Sequence, residues 1–179
     1  MTDSRLAVIV LAAGQGTRMK SRTPKVLHPL AGVPLIGHVL ATARALDPAH
    51  VVAVVRHDRD VVAAAITELD AHAIIADQDE IPGTGRAVEA GLAALPDDFD
   101  GDVLVVSGDV PLLDAETLAS LLARHRGAEA AATVLSAVLD DATGYGRIVR
   151  DPAGALDRIV EQKDPTEEER ALTEINSGT

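Results

Sequence analysis

Short apolar runs alternate with alanine-rich amphipathic segments over the first two thirds of this 179-residue chain. The apolar runs are typical of strands and read LAVIV, HVVAVVR, HAIIAD and DVLVVSGD. The segments between them have helical periodicity and read LIGHVLATARAL, RDVVAAAITEL and GRAVEAGLAAL. Strands that are apolar throughout need cover on both faces, which a parallel sheet flanked by helices provides. We therefore expect a doubly wound, mostly parallel α/β sheet.

The last third of the chain follows a different pattern. Asp114 is placed to cap one more helix, and the strand candidate AAATVLSAVL follows that helix. GRIVR and ALDRIVEQK flank DPAG, which predicts a hairpin, and DPTEEERAL predicts a short helix capped by Asp164 with Pro165 at its first position. We expect these pieces to add antiparallel structure near the C-terminus.

The domain organisation follows from the absence of linkers and repeats. We predict one domain over residues 1–179, and we expect it to be incomplete. The final segment, TEINSGT, begins a strand that has no element after it. This pattern predicts that the natural polypeptide continues.

Charge and composition exclude several classes of function. The chain has 28 acidic and 16 basic residues, a net charge of −12, which argues against general affinity for nucleic acid or anionic membranes. It has no cysteine, so thiol redox chemistry is excluded, and its 6 histidines show no zinc-ligand spacing. No stretch approaches the roughly 20 apolar residues of a membrane span, and we expect a cytoplasmic protein. Any anion must be bound by a local group of residues.

The loop LAAGQGTRMKSRTPK, residues 11–25, follows the first predicted strand and has the composition of an anion site. Gly14 and Gly16 allow a tight turn and a close approach of backbone N–H groups to phosphate oxygens. Arg18 and Lys25 add fixed positive charge. In open α/β sheets ligands bind beyond the carboxyl ends of the strands, where this loop lies.

Two common phosphate-binding motifs do not fit this loop. A Walker loop has Lys-Ser/Thr after its last glycine, whereas Thr17 and Arg18 follow Gly16 here. A dinucleotide fingerprint needs a third glycine, where this chain has Met19. It also needs an acid after the second strand, where this chain has Arg56-His57.

The pattern L-A-A-G-x-G-T-R-M-x(5)-P-K resembles the signature of the sugar-nucleotide pyrophosphorylases, nucleotidyltransferases that join a nucleoside triphosphate to a sugar 1-phosphate. Further segments occur in the order found in the N-terminal uridylyltransferase part of the bifunctional bacterial N-acetylglucosamine-1-phosphate uridylyltransferase/glucosamine-1-phosphate acetyltransferases. They are QDEIPGTGRAV, VSGDVPLL, GYGRIVR, RIVEQKD and EINSG. The resemblance covers essentially the whole chain. It implies that UTP and N-acetylglucosamine 1-phosphate react with Mg²⁺ to give UDP-N-acetylglucosamine, a cell-wall precursor, and pyrophosphate.

The resemblance also implies roles for particular residues. The main chain of Leu11, Ala12, Ala13 and Gly14 would follow the uridine and phosphates, with Gln78, Gly83 and Thr84 on the uracil. Arg18 would bind the β- and γ-phosphates, Lys25 would lie near the reacting centre, and Asp109 would hold the Mg²⁺ beside Ser107 and Gly108. Gly144, Glu161 and Asn176 would contact the sugar.

Alternative interpretations remain for several of these residues and for the activity. Gln78 can be a plain strand-end residue, Thr84 a helix cap and Asp109 a turn former. Ser107 stands where relatives often carry Tyr. A second metal ligand, an Asn, and a trimeric β-helical acetyltransferase domain would lie beyond residue 179, so we expect this chain alone to be a monomer. A transferase for another base or sugar, or a non-catalytic nucleotide-sugar binding module, is the alternative function.

Overall fold

A computed structural model describes residues 3–16 and 19–179 of the chain. The chain forms two compact units, Met1–Ala123 and Arg124–Thr179. The division falls inside helix α4 (Ala115–Gly127) rather than in a polar linker, which explains why composition gives no boundary here. Within the described residues no helix is long and apolar enough to cross a membrane.

The first unit is built on a four-stranded sheet in which every pairing is parallel. The strands are β1 (Asp3–Leu11), β4 (Pro48–Val55), β5 (Ile74–Asp77) and β6 (Asp102–Ser107), in the order β5-β4-β1-β6. The helices α1 (Leu35–Ala45), α2 (Arg59–Leu69) and α3 (Thr84–Ala93) connect them. The predicted parallel α/β sheet is confirmed, and α2 has the predicted bounds.

Side chains of β1 enter two cores, one on each face of the sheet. Val8 and Val10 pack in one core with α1, α2 and α4, whereas Ile9 packs in the other with α3. All three side chains are fully buried. Because successive residues of a strand point to opposite faces, this continuous apolar run is what a sheet covered on both sides requires.

A short connection between β1 and α1 was not predicted. It contains a 3-10 turn at Lys25–Leu27 and the two-residue strands β2 (Pro29–Leu30) and β3 (Val33–Pro34). Ala31 and Gly32 join the strands with φ of 50° and 83°, as a tight hairpin turn requires. Strands of two residues carry no measurable periodicity, so the apolar pattern contains no signal for them.

The second unit contains an antiparallel sheet, as predicted for this part of the chain. Its strands are β7 (Ser136–Val138), β8 (Arg147–Arg150), β9 (Leu156–Val160) and β10 (Glu174–Asn176), in the order β7-β10-β8-β9. The predicted hairpin is β8 and β9, joined at DPAG, where Asp151 accepts hydrogen bonds from the N–H groups of Ala153 and Ala155.

The two predicted helix caps have different outcomes. Asp114 does cap α4, because its Oδ1 accepts a hydrogen bond from Thr117 N at 2.7 Å. The prediction that Asp164 caps the short acidic helix is wrong: α5 spans Glu167–Arg170 and its cap is Thr166. Thr166 and Glu169 form a reciprocal capping box at 2.8 and 3.2 Å, which satisfies two backbone N–H groups at once. Pro165 therefore precedes the helix.

Candidate active site

The carboxyl ends of β1, β4, β5 and β6 meet at one edge of the parallel sheet. Three backbone hydrogen bonds extend the ladder to this edge: Ala12 N to Val54 O (2.8 Å), Gly108 N to Leu11 O (2.9 Å) and Gln78 N to Val55 O (2.9 Å). Along the chain, β4 and β5 are added on one side of β1 and β6 on the other. Such a reversal of direction opens a crevice at the carboxyl edge, where ligands of α/β proteins bind.

A cleft of about 780 Å³ lies at this edge, within the usual size range of ligand sites. Ten of the residues singled out in the sequence line it: Leu11, Ala13, Gly14, Gly16, Lys25, Gln78, Gly83, Thr84, Ser107 and Asp109. They come from the ends of three strands and the loops that follow them. The architecture thus gathers residues that are far apart in sequence.

The two loop glycines serve the cleft in different ways. Gly16 has φ of +63°, and a Cβ atom there would lie 2.6 Å from Lys25 Cβ. The turn at Gly16 is therefore packed directly against the lysine. Gly14 also lines the cleft, but among the described residues, its chain neighbours aside, no atom lies within 4 Å of a Cβ built on it. A side chain at 14 would consequently occupy space that a ligand needs.

Lys25 and Asp109 form an ion pair in the cleft, with their side chains 34% and 25% exposed. Lys25 begins the 3-10 turn after the glycine-rich loop, and Asp109 follows β6. Ion pairs with this degree of exposure contribute only about 0–1 kcal/mol, so exchanging the partner for a phosphate or a cation costs little. The pair places the two opposite charges side by side in the cleft.

Asp109 is the cleft carboxylate suited to a divalent cation. Among the described residues no group of three or more His, Cys, Asp or Glu side chains is arranged to hold a metal ion. Mg²⁺ does not need such a cage, because it is commonly bound by one or two carboxylates together with substrate phosphates and water. Asp109, in the same cleft as the glycine-rich loop, fits that coordination.

The segment after β5 forms one wall of the cleft. Gln78 is 8% exposed, and its Nε2 donates to Ile81 O at 2.9 Å and Gly83 O at 3.2 Å. Gly83 has φ of +130°, which favours glycine, and it occupies the cap position of α3, so Thr84 is the first helical residue rather than the cap. Hydrogen bonds from Arg86 to Asp79 hold the pKa of that carboxyl below its ordinary value.

Two predicted residues, Ala12 and Gly108, are not among the described residues that line the cleft. Ala12 is 3% exposed in the core, and its N–H is used by Val54 O. Gly108 lies behind the cleft, where its N–H bonds Leu11 O and a Cβ would come within 2.9 Å of that oxygen. Arg18 lies outside the described residues.

The residues predicted to contact the sugar belong to the second unit. Gly144 has φ of +93°, a conformation that glycine adopts without strain. Asn176 N donates to Gly146 O at 2.9 Å, and Glu161 Oε1 would lie 3.8 Å from a Cβ atom on Gly146. Glu161 and Asn176 are therefore brought together at Gly146, two residues after Gly144.

Several cleft residues were missed by the sequence analysis. They include Gln15, Met19, Arg56, His57 and Pro82. Arg56 and His57 had a usable signal, because they follow directly on β4 and so had to lie at the ligand edge of the sheet. In the sequence motifs, the two residues figure only as a mismatch to the dinucleotide fingerprint.

The parallel sheet, the glycine-rich loop after β1 and a cleft with a lysine and an aspartate define an α/β domain of the nucleotidyltransferase class. The model of the family described as MobA-like NTP transferase domain matches residues 8–171. The chain belongs to this family.

Curated relatives and a solved structure resemble the chain. The bifunctional protein GlmU of Leifsonia xyli subsp. xyli is 67% identical over 178 residues, covering 99% of this chain and 37% of the relative. GlmU of Clavibacter sepedonicus is 63% identical, covering 97% and 35%. This chain thus spans about a third of the length of these relatives.

A crystal structure from Bacillus anthracis, described as that of a glucose-1-phosphate thymidylyltransferase, has a similar fold. Its TM-score is 0.73 at 22% identity, and the match covers 97% of this chain and 69% of that one. At this identity the likeness concerns the fold.

Proposed function

We propose that the chain transfers the uridylyl group of UTP to N-acetylglucosamine 1-phosphate, giving UDP-N-acetylglucosamine for cell-wall precursor synthesis, and pyrophosphate. The observation that carries this proposal is the Lys25–Asp109 pair beside the glycine-rich loop, in a cleft at the sheet's carboxyl edge. Similarity to GlmU over 99% of the chain supports the choice of base and sugar.

The reaction is an in-line displacement at phosphorus. A phosphate oxygen of the sugar phosphate forms a bond to the α-phosphorus of UTP, and the bond from that phosphorus to the bridging oxygen breaks. Pyrophosphate leaves with the electron pair of the broken bond. Because the attacking oxygen is already ionised at neutral pH, no general base is required, and the main obstacle is repulsion between anions.

The chain's own contribution is to position the phosphates and neutralise their charge. Gly14 would leave room for the triphosphate against the loop backbone, since no atom of the described residues beyond its chain neighbours lies within 4 Å of a Cβ at that position. The Lys25 ammonium, released from Asp109, would stabilise the charge that builds up near the reacting phosphorus. Arg18 would do the same for the β- and γ-phosphates. The net charge of −12 makes such local cations necessary, since the chain as a whole repels an anion.

Asp109 would hold a Mg²⁺ ion together with the substrate phosphates. When bound, this ion would neutralise charge on the phosphate oxygens. The ion pair with Lys25 places the Asp109 carboxylate beside the cation that would face the same phosphates.

Gln78 supports a uracil specificity. Both donors of its amide nitrogen are used by Ile81 O and Gly83 O, so the amide would meet a base through its oxygen. Uracil presents an N–H donor at N3, whereas cytosine has an acceptor at the same position. An acceptor facing an acceptor is unfavourable, so the wall formed by residues 78–84 favours UTP over CTP.

The sugar contacts in this proposal are Gly144, Glu161 and Asn176. Glu161 is an exposed carboxylate on the residue after β9, and Asn176 has its backbone N–H fixed by Gly146. Carboxylate and amide side chains are the hydrogen-bonding partners that a hydroxyl and an acetamido group require.

The direct test is release of pyrophosphate with Mg²⁺ from each of UTP, CTP, dTTP and GTP, each paired with N-acetylglucosamine 1-phosphate and glucose 1-phosphate. We expect release to be fastest with UTP and the N-acetylated sugar. Fastest release with dTTP or CTP would identify a transferase for a different base. Binding of UDP-N-acetylglucosamine without any release would contradict the proposal and identify a binding module.

A further inference from the structure

We infer that Arg56 is a positioning residue for the nucleoside: it fastens the wall formed by residues 78–84 to the end of β4. The inference rests on the proposed function, because it assigns the uracil to that wall. Neither the glycine-rich signature nor the other recognised motifs include Arg56.

Arg56 spans two separate segments of the cleft. It is the first residue after β4, is partly buried and lines the cleft, and its Nη2 donates to Glu80 O at 2.6 Å. Glu80 lies in the middle of the connection between β5 and α3. A guanidinium bound to a carbonyl is a charge-assisted hydrogen bond, stronger than one between neutral groups.

In the described structure, the wall's other side-chain bonds come from the wall itself and from Arg86 of helix α3. Gln78 bonds Ile81 O and Gly83 O, and Asp79 accepts from Ile81 N at 3.0 Å and from Arg86 at 2.5 and 2.9 Å. These bonds fix the shape of the segment. The Arg56 bond has a different effect, because it fixes the middle of the segment, at Glu80, relative to the end of strand β4.

The contact lies at the base end of the proposed site. The partner of Arg56 is a carbonyl two residues beyond Gln78, and the Lys25–Asp109 pair belongs to the loops after β1 and β6. Arg56 therefore acts on nucleoside binding rather than on the reacting phosphates. Replacing Arg56 should therefore lower the affinity of the protein for uridine, UMP and UTP by the same factor.

The test compares Arg56→Ala with Arg59→Ala in the same protein. Arg59 is a suitable control because it also bonds the region of β5, through Asp77 at 2.8 and 3.2 Å, but is not among the residues that line the cleft. Calorimetric titration with uridine, UMP and UTP gives the affinities, and amide hydrogen exchange of the peptide covering residues 78–86 reports the wall itself.

In Arg56→Ala we expect affinity for each of the three ligands to fall about tenfold, the scale of one lost hydrogen bond to a charged group. Exchange in the 78–86 peptide should become several-fold faster, and the KM for UTP should rise with kcat unchanged, because the groups at the reacting phosphorus are untouched. Arg59→Ala should change neither the three affinities nor the KM.

A loss of affinity that grows from uridine to UTP would make Arg56 a phosphate ligand and overturn the inference. Unchanged exchange in residues 78–86 would overturn it as well, while leaving the proposed function standing. If the wild-type protein itself binds no uridine compound, the proposed function fails, and the exchange measurement still shows separately whether Arg56 fastens the wall.

Discussion

Gly14 and Gly16 are two residues apart, yet the space around them predicts different consequences of the same substitution. In Gly14→Ala the new methyl group has no described residue beyond its chain neighbours within 4 Å, so we expect the melting temperature to stay unchanged while affinity for UTP falls about tenfold. In Gly16→Ala the methyl group would lie 2.6 Å from Lys25 Cβ at φ of +63°, so stability should also fall, by about 1 kcal/mol or more. Thermal melting and UTP titration of both variants separate the effects. Loss of stability in Gly14→Ala would contradict the ligand role of that space.

The Lys25–Asp109 pair predicts two separable kinetic defects. Lys25→Ala should lower kcat by about 10²–10³, the typical effect of removing a group that stabilises transition-state charge. Asp109→Asn should raise the Mg²⁺ concentration needed for half-maximal rate as well as lowering the rate. Initial rates over a Mg²⁺ titration measure both.

Lys20→Ala is the matched control for the lysine. Lys20 is an exposed residue of the same loop and is not among the residues that line the cleft. Near-normal turnover in Lys25→Ala, or a Mg²⁺ titration unchanged by Asp109→Asn, would refute the corresponding assignment.

The position of a residue at the cleft was predictable where the residue follows a strand of the parallel sheet closely in the sequence. Asp109 follows a recognisable strand and Lys25 closes a recognisable loop, so the carboxyl-edge rule places both. The ion pair between them could not be predicted, because a pattern of residue types contains no information on side-chain distances. The same carboxyl-edge rule also predicts that Arg56 lies at the cleft, because it follows strand β4 directly. The dinucleotide fingerprint, which it does not match, contains no signal for this role.

At the scale of elements, helix α3 provides a test of how closely helix and sheet are packed. A Cβ on Gly91 would lie 2.7 Å from Ile9 Cγ2 and 3.1 Å from Val54 Cγ2, both fully buried side chains of the sheet. Gly91→Ala should therefore destabilise the protein by about 1–3 kcal/mol, the usual cost of overpacking, although alanine is the better helix former.

Gly85→Ala in the same helix is the matched control, because a Cβ there meets nothing within 4 Å. It should stabilise the protein slightly through its higher helix propensity, by up to about 1 kcal/mol. Urea unfolding of the two variants gives both changes in free energy. Equal effects at positions 85 and 91 would show that propensity, rather than contact with Ile9, determines the outcome.

The four strands of the parallel sheet and the helices around it were predictable because each is long enough to show its period, whereas the two-residue strands β2 and β3 are not. Helix α2 has its predicted bounds, Arg59–Leu69, and it places Val62 and Ile66 on one buried face. The short helix α5 was predicted with the wrong cap, because Asp164, Thr166 and the acids after them are all acceptable at a helix start. Only the reciprocal bonds between Thr166 and Glu169 determine which residue is the cap.

At the scale of the whole molecule, carboxylates with lowered pKa values occur in both units. In the first unit they include Asp77, held by Arg59, and Asp114, held by the backbone N–H of Thr117. In the second unit hydrogen bonds from Arg150, and then from Ser136, lower the pKa of Glu174 from its ordinary 4.5 to about 2. Each of these groups binds a proton less readily in the folded chain than in the unfolded chain, so acid destabilises both units.

Because the pKa of Glu174 is lowered by folding, this group makes the protein less stable as the pH falls. The carboxylate contributes its full stabilisation above pH 4.5, the value of the unfolded chain, and the contribution is lost as the pH falls toward about 2. Structurally the group joins three strands, because Glu174 on β10 accepts from Ser136 on β7 at 2.6 Å and from Arg150 on β8 at 2.6 and 2.8 Å. We therefore expect the second unit to depend on this charge.

Melting temperatures of the wild-type protein and Glu174→Gln between pH 6 and pH 2 test this dependence. The variant should melt lower at pH 6, and the difference should narrow below pH 4.5 and be small near pH 2, where about half of the wild-type carboxylate is protonated. Glu168→Gln, which removes an exposed charge from the same unit, gives the baseline for a change in net charge alone. A difference between wild type and Glu174→Gln that stays constant down to pH 2 would mean that the shape of the side chain, and not its charge, connects β7, β8 and β10.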